Sequence, residues 1–207
     1  MNIRDYWPIS TEELSIPTWE KMLTMRLQTF QGFANIEKDR GFIQPKIHIH
    51  TSQGQEVIRM LCFRFLEEVG EAFESGEDDH YYEELIDAFN YIVSILLLAG
   101  EVPTDLAAKL TSVCIVLQSE TARSMEKDLT PASIGWMTIS LGAKLGDSLR
   151  NRAWMNNSQN TFVDLDLFEF LLPIFSFIIC LFPDFKTFYS YFVAKDSVLQ
   201  FRLRSKY

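Results

Sequence analysis

The sequence predicts an all-α protein, a helical bundle of about seven helices whose four-helix core carries the chemistry. Three observations lead there. Apolar residues recur at helical spacing along nearly the whole chain, Pro and Gly fall where helices start and stop, and no alternating run is long enough to make a paired strand. Ile47-His48-Ile49-His50 alternates but has no partner segment. His48 and His50 would make a ligand pair only on an extended strand, and the plainer reading is a solvated loop.

The elements follow in order. Pro17 opens a first helix from Thr18 to about Asp39. A loop, Gly41 to Gly54, leads to a second helix from Gln55 to Glu74, stopped by Ser75-Gly76. Asp78 or Asp79 caps a third, His80 to Ala99, ended by Gly100. Val102-Pro103-Thr104 starts a fourth that runs to about Lys127, and Thr130-Pro131 a fifth towards Arg150. After a polar loop, Asn156 to Thr161, two more span roughly Asp164 to Leu181, with a kink expected at Pro173, and Pro183 to Arg204.

Composition narrows the function classes. At 207 residues, 47% apolar and 23% charged, the chain suits one globular domain over residues 1–207. A formal charge of −9 argues against a nucleic-acid partner, because neutralising phosphates needs a basic surface. The first residues, Met1 to Asp5, lead into no apolar signal core. The most apolar stretch, Leu167 to Phe182, contains Glu169 and Pro173 and falls short of the ~20 residues of a membrane span. It reads as a buried helix, so no membrane partner is expected. Cys62, Cys114 and Cys180 are widely spaced in apolar helical runs and read as reduced thiols of a cytoplasmic protein.

The chemistry is concentrated in the second and third helices. The run from Leu85 to Ala99 is apolar almost all round, yet Glu84, Asp87 and Asn90 recur three apart on one side of it. Unpaired buried carboxylates are costly, so such groups are normally paired, protonated or metal-bound. The second helix has an apolar stripe of Ile58, Cys62, Phe65, Val69 and Ala72, with Glu68 at its edge and Glu71 one turn on. A short connection makes the two helices antiparallel neighbours, so Glu68 and Glu71 can face Glu84 and Asp87. Arg64, one turn before Glu68, is placed to pair with it but cannot neutralise four acids. A hard divalent cation with oxygen ligands answers the charge, and magnesium suits a phosphate substrate. Either motif alone would read as a solvated charge run.

Glu68-Val69-Gly70-Glu71 followed by Glu84-Leu85-Ile86-Asp87 resembles the signature of the all-α nucleoside triphosphate pyrophosphohydrolases, the MazG-like enzymes and dimeric dUTPases. The dimeric dUTPase branch is most similar. Gln31 and Asn35 match its Gln-xxx-Asn pair, and Lys195, Arg202 and Tyr207 match the basic pattern of its last helix. Leu149-Arg150-Asn151-Arg152-Ala153-Trp154 resembles a further segment of some relatives. Two features depart from the pattern: Leu199 stands where the family has Asn, and Ser75 to His80 replaces its Trp/Lys-rich connection.

The resemblance implies hydrolysis of a nucleoside triphosphate, dUTP first, to the monophosphate and pyrophosphate. It implies two or three Mg²⁺ ions, with Mn²⁺ as a substitute, on Glu68, Glu71, Glu84 and Asp87. Glu68 would also orient or deprotonate the attacking water. Lys195 and Arg202 would neutralise phosphate charge, and Gln31, Asn35 and Asn90 would contact sugar or base. Taken alone, Lys195, Arg202, Arg204 and Lys206 read equally well as a solvated basic tail. Relatives are commonly homodimers, and the aromatic helix from Phe168 to Phe182 offers a surface for such pairing. That helix also echoes the third, with Pro173 in the place of Asp87. Two alternatives stay open: the same reaction on dCTP, dGTP or dATP, and a scaffold of this fold that binds without turnover.

Overall fold

A helix that is apolar on nearly every side needs neighbours on nearly every side, and the third helix has them. The computed structural model describes residues 19–29, 52–76, 79–99, 103–117, 135–136, 139–140, 142–143, 167–183 and 185–205. Among these, six helices and no strand are found: α1 (19–29), α2 (Ser52–Ser75), α3 (Asp79–Ala99), α4 (Pro103–Leu117), α5 (Leu167–Cys180) and α6 (Phe185–Ser205). The all-α class expected from the sequence is thus observed. Of the fifth expected helix only 135–136, 139–140 and 142–143 are described, and they are helical; the 149–154 segment, His48, His50, Gln31 and Asn35 lie outside the described residues.

α3 packs against α2, α5 and α6, and α4 against α5. Its Ile86, Phe89, Ile92, Val93 and Leu96 are fully buried. Phe89 is the hub. Edge-to-face contacts join it to Phe188 at 5.0 Å, Phe175 at 5.4 Å and Phe192 at 6.2 Å, and Trp19 of α1 lies 6.1 Å away. One side chain therefore ties α1, α3, α5 and α6 together, each ring pair adding about 0.5–1.5 kcal/mol beyond its buried area.

Helix ends moved where local chemistry decides them. α2 begins at Ser52, inside the loop expected to last until Gly54. It ends at Ser75, whose hydroxyl donates to the Ala72 carbonyl at 2.9 Å. The next residue, Gly76, has φ of 81°, the left-handed conformation that stops a helix and that a side chain resists. α5 continues unbroken through position 173, and the sharp bend, 102°, falls instead between Cys180 and Phe185.

In the aromatic stretch expected to offer a dimer surface, Leu171, Phe175, Phe177 and Ile178 of α5, and Phe182 just beyond it, are buried within the chain. Among the described residues no single helix is long and apolar enough to cross a membrane; α5 and α6 pass by length and composition only as a bent pair.

Candidate metal centre

The buried stripe of α2 consists of Ile58, Leu61, Phe65, Val69 and Ala72. Cys62, expected in that stripe, is only partly buried, and its surroundings push the thiol up to about 12 through loss of solvation. Glu68 follows the stripe's edge and reaches towards the first turns of α3. There Glu84 is 6% exposed and Asn90 2% exposed, with Asp87 between them.

Three of the four expected acids converge. Glu68, Glu71 and Glu84 each offer a carboxylate oxygen, and the three atoms lie within 4.8 Å of one another. Around an octahedral Mg²⁺ with oxygens at ~2.1 Å, ligand oxygens are about 3.0 Å apart when adjacent and about 4.2 Å when opposite, so the three carboxylates would draw together to seat one. All-oxygen donors of this kind fit a hard divalent cation. The cluster could hold a metal ion.

Without such an ion the charges are settled by a proton and by two cations. Loss of solvation, a hydrogen bond with Glu84, and the charges of Asp87, Glu84 and Glu71 raise Glu68 to about 8. The neutral form of Glu68 is thereby favoured, hydrogen-bonded with Glu84. His80 Nδ1 lies 3.1 Å from Glu84 Oε1, one turn earlier on α3. Arg64 pairs with Glu67, on the exposed side of α2, and not with Glu68 as expected.

Asp87 does not join the trio. Its Oδ2 lies 2.6 Å from Lys195 Nζ, which α6 brings to the edge of the acids. Burial raises the Asp87 carboxyl, while Lys195 and Arg26 oppose that shift. Burial likewise works against the Lys195 ammonium, but Asp87, Glu84 and Glu83 outweigh it and hold the lysine above its ordinary value. Arg202 follows Lys195 by two turns, about 10.5 Å along the same face of α6, and is exposed. Leu199, in place of the family Asn, is half-buried.

A polar layer that the sequence did not single out lies behind Asp87. Arg26 of α1 is 8% exposed and donates to Ser94 Oγ from Nε and Nη2 at 3.3 and 3.1 Å. Ser94 in turn donates to the Asn90 carbonyl at 2.7 Å. Burial lowers the Arg26 guanidinium from its ordinary value, and the charges of Asp87 and Asp196 counter this. Asp196, 1% exposed, accepts from Thr29 Oγ1 at 2.8 Å, and Gln200 donates to the same Thr29. Among the described residues neither atom of the Asn90 side-chain amide, nor Asp196 Oδ2, has a hydrogen-bond partner. Buried polar atoms left in this way are rare, and an ordered water, an ion or a functional role is the usual account of them.

No family model, curated protein or solved structure matches the chain.

Proposed function

We propose that the chain is a Mg²⁺-dependent nucleoside triphosphate pyrophosphohydrolase of the cytoplasm, acting first on dUTP and working as a homodimer. The observation that carries this reading is the convergence of Glu68, Glu71 and Glu84 within 4.8 Å, with Lys195 on the adjoining Asp87. Carboxylates with an ammonium beside them match the needs of a metal-chelated polyphosphate.

Bound there, divalent ions supply positive charge for the triphosphate and activate water for attack at phosphorus. The chain's own groups do the rest. Glu71, Glu84 and Asp87 hold the ions. Glu68, once deprotonated, orients the water and takes its proton. Lys195 meets the charge that develops on the phosphates as the P–O bond breaks and pyrophosphate leaves, and Arg202 extends that positive side towards solvent. Asn90 offers a donor and an acceptor to sugar or base.

The deciding experiment measures pyrophosphate release from dUTP, dCTP, dGTP and dATP, with and without Mg²⁺. Metal-dependent release that ranks dUTP first is the expected outcome, and another ranking would assign another base. No hydrolysis of any nucleotide with Mg²⁺ or Mn²⁺ overturns the reading. A binding scaffold would show Glu84→Ala at the same background as the unaltered chain. Sedimentation of the full chain tests the dimer.

A further inference from the structure

Helical spacing places Asp87 one turn from Glu84, where it should share in any ion held by the acid trio. It is instead engaged by Lys195, Nζ to Oδ2 at 2.6 Å, with both side chains largely buried at 17% and 20% exposure. The carboxylate that would be a metal's fourth is thus held by a monovalent cation of the protein's own. The neighbouring residues of Lys195 on α6, Ala194 and Asp196, are 6% and 1% exposed, so the backbone is anchored while the four-carbon side chain remains long enough to swing. Arg26, which faces Asp87 from α1, cannot make that move because it is buried and bonded to Ser94. The remaining acids around the ammonium, Glu83 and Glu84, favour its charge there.

An ammonium and a divalent ion repel at this range and compete for Asp87. A polyphosphate changes the contest, because its oxygens give the lysine another partner and add ligands to the metal. We infer that Lys195 gates metal loading: without phosphate it keeps Asp87 out of the coordination set, and a polyphosphate draws it away so that Asp87 joins Glu68, Glu71 and Glu84. Metal and nucleotide binding then strengthen one another, and by linkage the coupling is reciprocal. This inference rests on the metal-site reading above.

The test titrates Mn²⁺ alone into the full chain by calorimetry, comparing the unaltered protein with Lys195→Met, Lys195→Gln, Asp87→Asn and the Lys195→Met/Asp87→Asn pair. With the gate removed, Mn²⁺ binds about tenfold tighter, within the usual range of such couplings. Adding Asp87→Asn abolishes that gain. Thermal unfolding gives a second readout: both Lys195 variants are less stable than the parent without metal, and gain more from Mn²⁺ than the parent does. Equal or weaker Mn²⁺ binding by both Lys195 variants overturns the gate. A Glu84→Gln control separates the two readings. If it weakens Mn²⁺ binding while the Lys195 variants show no gain, the gate alone fails; if it changes nothing, the metal site fails and the gate with it.

Discussion

Arg26 and Ser94, 68 residues apart, are joined by two hydrogen bonds from one guanidinium to one hydroxyl, which fix α1 against α3 directly behind Asp87. The same guanidinium acts on the charge of the buried Asp196 and is the second cation, after Lys195, acting on Asp87. Replacing it with an uncharged side chain leaves two carboxylates short of compensation. Arg26→Met is expected to cost about 3–5 kcal/mol in denaturant unfolding, the usual result of removing one partner from a buried charged set. Adding Asp196→Asn should recover part of that loss, so the double variant falls short of the sum of the singles.

Glu84 separates function from stability. As a metal ligand its change to Gln should lower Mg²⁺-dependent turnover by more than the roughly 10–100-fold that changes beyond the ligands themselves cause. The metal-free protein should be no less stable, because the substitution removes one of several like charges packed together. Steady-state rates and metal-free melting curves on the same preparations check both halves.

The proton on Glu68 makes metal binding pH-dependent. A carboxyl raised from 4.5 to about 8 must give up its proton before it can bind an ion. Mn²⁺ affinity should therefore climb by up to ~tenfold per pH unit below 8 and level off above it. Calorimetry in buffers of different ionisation enthalpy should show proton release accompanying binding.

The metal-free fold responds with the opposite sign. Because folding raises the Glu68 value, the folded chain holds a proton that the unfolded chain has lost. Its contribution to stability is complete below about 4.5, declines as pH rises, and is gone above about 8. Asp87 and Asp196, also raised, act in the same direction. Metal-free melting temperatures should fall from pH 5 to 8, and added Mg²⁺ should raise them most at the alkaline end.

Phe89 carries the core. Its ring meets aromatic residues from α1, α5 and α6, so Phe89→Ala should cost about 3–5 kcal/mol and lower metal affinity indirectly by loosening α3. Phe63, 71% exposed on α2, is the matched control: Phe63→Ala should change stability by about 0.5 kcal/mol or less.

What the sequence disclosed was what lies close along the chain. Helical periodicity and Pro/Gly punctuation located the helices, and the pairing of Glu68 and Glu71 with Glu84 followed from one short connection. Partners from distant helices were not visible. Arg26 looks like any charged residue on an amphipathic helix until α3 and α6 cover it. Asp196 sits beside Lys195 in the sequence, but their side chains answer to different neighbours, Thr29 and Asp87. Arg64 illustrates the reverse error. Spacing allows it either Glu67 or Glu68, and solvent-side geometry selects Glu67. The aromatic run of α5 shows a third limit, since apolarity alone does not say whether a face meets its own chain or another.

The arrangement of the acids also bears on the order in which the molecule assembles. Glu68, Glu71, Glu84 and Asp87 belong to one helical hairpin closed at Gly76, so their meeting requires only a short loop and little chain entropy. The Thr29–Asp196 contact, by contrast, joins residues 167 positions apart. Local contacts form early and distant ones late. The acid-bearing hairpin would then exist before α1 and α6 arrive to cover it.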